Sequence, residues 1–199
     1  LEVPGEVDLA IIVVNAKFVL STIDQCHEKG IKGICIITAG FKETGKEGAE
    51  LEKQLVEKLK EYGMRCVGPN CLGVVNTHPD IRMDGCFAES LPERGNIGFV
   101  SQSGALGGGI LNILKDLNLG FAQFISIGNQ ADVNAETALE YWENDADVEQ
   151  ILLYMESIQN PSNFRRLASR ITKKKPILAL KAGRSAAGAS AASSHTGSL

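Results

Sequence analysis

The chain has 199 residues, of which 44% are hydrophobic and 22% charged, so it is long enough for two compact units and its composition argues against disorder or a membrane class. A net charge of -4 leaves no electrostatic footprint for nucleic acid, and the one basic run, Lys173–Lys175, sits where a helix should end and suits its negative pole. Five cysteines (Cys26, Cys35, Cys66, Cys71 and Cys86) form no CxxC pair and no metal-ligand spacing, and no apolar run approaches the roughly 20 residues a spanning helix needs, so reduced thiols, no metal, no membrane and a cytoplasmic location are expected.

Val7–Val14 is a run rich in β-branched residues, the pattern of a parallel strand buried on both faces. A helix-like stretch from Lys17 to Lys29 ends at Gly30, and a second buried strand, Gly33–Thr38, completes a βαβ unit. The loop Gly40–Glu47 has the spacing of a Walker A motif but lacks the final Ser or Thr, so a bound magnesium would lose a ligand and an ATP loop is not expected. It could still border a ligand, because helix starts offer free N–H groups to anions. An amphipathic helix from Glu47 to Tyr62 and a short strand, Arg65–Val67, lead into Gly68-Pro-Asn-Cys-Leu-Gly73.

Residues 74 to 92 lack clear periodicity, and Pro92–Gly95 marks a boundary. Beyond it the chain reads strand (Ile97–Ser101), helix (Ala105–Leu117), strand (Phe121–Ile127) and helix (Ala135–Asn144). Strand (Val148–Met155), helix (Phe164–Thr172) and strand (Pro176–Lys181) follow, so about four strands in a doubly wound parallel sheet are expected. Ser101-Gln-Ser-Gly-Ala105 lies at a strand-to-helix junction that suits either a phosphate or a plain serine N-cap. Gly107–Gly109 costs roughly 1 kcal/mol per glycine in a helix, which implies close approach by another body.

Glu156 follows the buried run Ile151–Met155 and should stand at the carboxyl edge of a central strand, where ligands bind; a surface or capping carboxylate is the alternative. The tail after Lys181 is dominated by alanine, serine and glycine and carries one imidazole, His195. That histidine is either a chance residue in a low-complexity tail or a mobile reactive group, and Glu156 could orient it by fixing its tautomer.

With these residues assembled, the chain resembles the α-subunit portion of the NDP-forming acyl-CoA synthetases, the superfamily of ADP-forming acetate–CoA ligase and succinyl-CoA synthetase. The likeness runs through Asp8–Val19, Ile36–Phe41, Gly68–Gly73, Val100–Ala105, Ser126–Val133, Tyr154–Glu156, Lys181–Arg184 and Ser194–Gly197. It implies the C-terminal part of a Rossmann-like CoA-binding domain over residues 1–92 and a flavodoxin-like domain carrying a phosphohistidine loop over 93–199. It also implies His195 as phosphohistidine, Glu156 as the carboxylate that holds it, and Ser103, Gly104 and Ala105 as the phosphate-binding helix start. Coenzyme A contacts would fall on Ile37, Thr38 and Ala39, with Asn15, Ala16 and Lys17 and Pro69 and Asn70 nearby. Asn15 stands where the family usually has proline, and Gly108 replaces a larger acyl-site residue of the succinate enzyme, so a different acyl group is expected.

The implied reaction interconverts acyl-CoA, ADP and phosphate with carboxylic acid, coenzyme A and ATP, through acyl phosphate and phosphohistidine. ADP or ATP, with Mg, would be bound by an ATP-grasp partner, fused or separate, and an oligomer is expected. The chain opens on a strand without an initiating methionine and stops four residues after His195, so a partial chain, inactive alone and lacking the main glycine-rich CoA turn, is expected. Two other classes share parts of this pattern: the acyl-CoA-sensing region of a protein lysine acetyltransferase, which tends to lack the histidine, and a CoA-binding module without turnover, which would not need the second unit.

Overall fold

A computed structural model describes residues 2–88 and 93–183. The first unit is a parallel sheet in the order β1 (Leu9–Ile12), β2 (Gly33–Ile36), β3 (Arg65–Val67). Helices α1 (Val19–Glu28) and α2 (Lys46–Tyr62) supply Val19, Ile23, Leu55 and Leu59 to a core shared with Ile12, Ile34, Ile36 and Cys66. On α2 the buried positions Gly48, Glu52, Leu55 and Leu59 recur every three to four residues, the stripe that drives an amphipathic helix onto a sheet.

The run Val7–Val14 is not buried on both faces. Only four of its residues form β1, and Ile11 and Val13 are 42% and 69% exposed. Among the described residues β1 is an edge strand with one neighbour, so β-branched character there does not report two covered faces.

Residues 74 to 92, which read as aperiodic, contain a β-hairpin: β4 (Gly73–Asn76) pairs antiparallel with β5 (Met83–Cys86). The hairpin lies between the two units. Val74 packs with Cys35 and Cys71 of the first unit, while Val75 enters a cluster with Phe99 and Phe124 of the second. A strand buried on both sides over four residues has no polar face to alternate, which is why no period of two was visible.

Among the described residues the second sheet has six strands in the order β5-β4-β7-β6-β8-β9. Its parallel part comprises β6 (Arg94–Ser101), β7 (Phe121–Ser126), β8 (Gln150–Met155) and β9 (Ile177–Lys181), the four strands expected, and β4 joins β7 antiparallel. Three helices connect these strands: α3 (Gly104–Asp116), α4 (Ala135–Trp142) and α5 (Pro161–Ile171). The chain leaves β6 for β7 on one side and then crosses to β8 on the other, creating a topological switch point at the carboxyl end of β6. No helix among the described residues is long and apolar enough to cross a membrane.

The glycine triplet on α3 divides by environment. A Cβ at Gly107 would lie 2.9 Å from the Phe124 ring, whereas one at Gly109 would meet nothing within 4 Å. Gly107→Ala should therefore lower stability in urea denaturation, since overpacking of about 1–3 kcal/mol exceeds the gain in helix propensity, while Gly109→Ala should raise it by up to about 1 kcal/mol. Equal shifts for the two variants would contradict this packing.

Candidate active site

The carboxyl ends of β2, β3, β6 and β7 converge on a cavity of about 470 Å³. The first unit contributes Ile37 and Ala39 after β2 and Asn70, Cys71 and Leu72 after β3; the second contributes Gln102, Gly104 and Ala105 after β6 and Gly128 and Asn129 after β7. Five residues singled out from the sequence thus meet in one space: Ile37, Ala39, Asn70, Gly104 and Ala105.

The other expected contacts surround it or serve the backbone. Thr38 donates its hydroxyl to the Val14 carbonyl at 2.7 Å, tying the ends of β1 and β2, and its own carbonyl accepts the Asn70 N–H at 3.0 Å. The Pro69 carbonyl accepts the Asn129 N–H at 2.9 Å. Asn15 accepts the Lys17 N–H at 3.2 Å at the start of a short 3-10 turn, and the Lys17 ammonium lies 4.9 Å from the Phe18 ring centre; Asn15, Ala16 and Lys17 are not among the walls of the cavity. Ala16 does lie against the neighbouring loop, since a Cβ at Gly40 would be 2.9 Å from its own. One turn into α3, a Cβ at Gly108 would be 3.5 Å from Leu72 Cδ2.

Ser103 acts as the N-cap of α3, its hydroxyl oxygen accepting the Leu106 N–H at 3.3 Å. Gly104 and Ala105 then present the positive end of a 13-residue helix to the cavity, a setting that favours an anion. The capping group is neutral, so no carboxylate of the cap competes for that position.

Glu156 stands just beyond β8, at the switch point, where it borders a second cavity of about 140 Å³ that shares Gln102, Gly128 and Asn129 with the first. Gln102, buried after β6, fixes this turn. Its Oε1 accepts both the Glu156 and Ser157 N–H groups, the latter at 2.8 Å, and its Nε2 donates to the Ser157 carbonyl at 3.1 Å. Burial first, and then the Glu156 charge and hydrogen bond, push the Tyr154 phenol above its ordinary value. His195 lies outside the described residues.

A polar network that the sequence did not single out joins the two units beside these cavities. Asn129 donates from Nδ2 to Glu43 Oε2 at 2.6 Å and to Glu52 Oε2 at 2.8 Å, and Lys42 Nζ lies 3.0 Å from Glu52 Oε1. Glu43 also accepts the N–H groups of Gly40 and Phe41, at 2.5 and 3.1 Å. In the Walker-like loop, therefore, the chain's own carboxylate takes the donors a phosphate would need. Burial alone would raise the Glu43 carboxyl, but hydrogen bonds from Asn129, Gly40 and Phe41 outweigh it and hold the group below its ordinary value. A further clamp pairs Arg65 with Asp132 at 2.8 and 3.1 Å, with the Cys66 N–H donating to Asp132 at 2.8 Å. Among the described residues no group of three or more His, Cys, Asp or Glu side chains could hold a metal ion.

Comparison with known proteins gives two family matches, a succinyl-CoA-ligase-like flavodoxin domain over residues 94–199 and a CoA-binding domain over residues 1–77. The chain is 51% identical, over its whole length and 43% of the relative's, to the ADP-forming acetate–CoA ligase II subunit alpha of Pyrococcus furiosus. It is 46% identical to the ADP-forming acetate–CoA ligase I of Archaeoglobus fulgidus, covering all of this chain and 29% of that one. The acetyl-coenzyme A synthetase 1 of Ca. Korarchaeum cryptofilum, solved with phosphate and ADP, superposes with a TM-score of 0.90 at 40% identity, covering 100% of this chain and 42% of that one. The chain spans less than half the length of these relatives.

Because the folded chain holds Glu43 below its ordinary value near 4.5, ionised Glu43 stabilises the fold above that pH, and the contribution is lost as pH falls through the lower folded value. Glu43→Gln should be less stable than the parent at pH 7, with the gap narrowing below about pH 4.5. Denaturation midpoints across pH read this directly; a gap that stays constant into acid would contradict it.

Proposed function

The chain belongs to the NDP-forming acyl-CoA synthetase superfamily, and from that premise we propose that it supplies the acyl-transfer and phosphoryl-carrier part of an ADP-forming acid–thiol ligase. Residues 1–92 serve as the C-terminal part of the CoA-binding domain and 93–199 as the flavodoxin-like domain, with the β4–β5 hairpin bridging them. The observation that carries the reading is the shared cavity, where Ile37, Ala39 and Asn70 of one unit face Gly104 and Ala105 of the other. Such a space suits a substrate with two ends, a thioester on the first unit and a phosphate on the α3 start.

In the ATP-forming direction an oxygen of phosphate attacks the thioester carbonyl, the C–S bond breaks, and coenzyme A leaves with a proton as its thiol. A ring nitrogen of His195 then attacks the phosphorus, and the P–O bond to the acyl group breaks to release the carboxylate. An ADP oxygen finally takes the phosphoryl group as the N–P bond breaks. Glu156 orients the imidazole through the other ring nitrogen, and Gln102 holds Glu156 in place. The α3 start, through Ser103, Gly104 and Ala105, stabilises the anionic phosphoryl group at each stage. Coenzyme A lies along Ile37, Thr38 and Ala39, with the loops Asn15–Lys17 and Pro69–Asn70 beside it, and Gly108 borders the acyl end. ADP or ATP, with Mg, is bound by an ATP-grasp partner, fused or separate, in a cytoplasmic oligomer.

The full-length protein with its ATP-grasp part, incubated with ATP carrying a labelled γ-phosphate, should acquire acid-labile, base-stable label on His195 that ADP removes. His195→Asn should acquire none. Label on another residue, or none on a protein that still makes acyl-CoA, would overturn the proposal.

A further inference from the structure

Asn129 is buried, 5% exposed, and belongs to the second unit, yet among the described residues each polar contact it makes beyond its own turn reaches the first. Its Nδ2 donates to Glu43 and Glu52, its Oδ1 accepts Asn70 Nδ2 at 3.3 Å, its N–H donates to Pro69 at 2.9 Å, and its carbonyl accepts Lys42 Nζ. Two left-handed residues, Gly128 at φ 49° and Gln130 at φ 57°, flank it and turn it out of the sheet. A Cβ at Gly128 would lie 2.3 Å from the Pro69 carbonyl oxygen, so this turn is pressed directly onto the first unit.

The chemistry of the socket selects the side chain. Two carboxylates, Glu43 and Glu52, converge with, among the described residues, only the Lys42 ammonium to offset them, so a neutral group with two donors fits where an aspartate would add a third negative charge. Asn129 also borders both cavities, and its partner Asn70 borders the larger one.

We propose that Asn129 is a positioning residue that sets the separation of the two units across the shared cavity, and so governs the half-reaction whose substrate spans them. The inference rests on the proposed acyl-CoA synthetase function. A coenzyme A thioester meeting phosphate spans the larger cavity and needs both units in register, whereas in phosphoryl exchange between His195 and nucleotide no substrate rests on the first unit. Loss of the Asn129 bridge therefore falls more heavily on the first half-reaction than on the second.

The test uses the full-length protein with its ATP-grasp part and two assays, acyl-CoA formation at varied coenzyme A and label transfer from ATP to protein without coenzyme A. Asn129→Ala should lose about tenfold in kcat/KM for coenzyme A, the scale of a lost buried hydrogen bond to charge, a several-fold larger loss than in the labelling rate. If that variant does not fold, Glu43→Gln is read instead. Its amide cannot accept from Asn129 and from Gly40 and Phe41 together without turning an N–H toward one of them, so the same split is expected. An unchanged kcat/KM, or an equal loss in both assays, would overturn the inference while leaving the parent function standing. A parent protein that neither labels nor makes acyl-CoA would sink the function and this inference with it.

Discussion

The docking of two separate sheets, end toward end, is the constraint on which the remaining features depend. Neither unit encloses the cavity alone, since its walls alternate between loops of the first and loops of the second. Among the described residues the arrangement is held by β4, apolar on both sides, by main-chain bonds from Asn129, Ala131 and Val133 to Pro69, Gly68 and Cys66, by the bidentate Arg65–Asp132 pair, and by the buried carboxamide of Asn129 between Glu43 and Glu52. Exposed ion pairs contribute little to stability, and Arg65 is largely exposed, so the hairpin, the main-chain bonds and the buried amide do more than that pair to define the geometry.

Two helix starts illustrate how the same local structure is put to different uses. At α2 the preceding loop folds its own Glu43 carboxylate over the N–H groups of Gly40 and Phe41, so that loop is neutralised from within and its carboxylate faces the second unit. At α3 the cap is the neutral Ser103, and Gly104 and Ala105 border the cavity. An anion therefore has a place at the second and none at the first. The glycine spacing around Gly40–Glu47 resembles a phosphate loop more closely than Ser101–Ala105 does, yet the side chains reverse that ranking.

Much of the fold was legible because it is local. The amphipathic stripe that carries Leu55 and Leu59, the stop at Gly30, and the apolar runs of the second unit's strands each leave a trace within about ten residues. The β4–β5 hairpin left none, because Val74 and Val75 are both buried, against different units. β1 misled in the opposite sense, its apolar run lying at a sheet edge. Among the candidate site residues, the place of Glu156 just beyond β8 was legible from the buried strand before it, and the α3 start at Ser103–Ala105 from a strand-to-helix junction. Lys42, Glu43, Glu52 and Asn129 were not. Their partners lie as much as 87 residues apart, and nothing in a surface-type glutamate on an amphipathic helix announces that a distant loop will bury it.

Hydrogen–deuterium exchange on the full-length protein with and without coenzyme A tests the shared cavity most directly. Residues 37–40 and 68–72 of the first unit and 104–106 and 126–130 of the second should gain protection together on adding coenzyme A with phosphate. Protection confined to the first unit, or to neither, would contradict a site built by both.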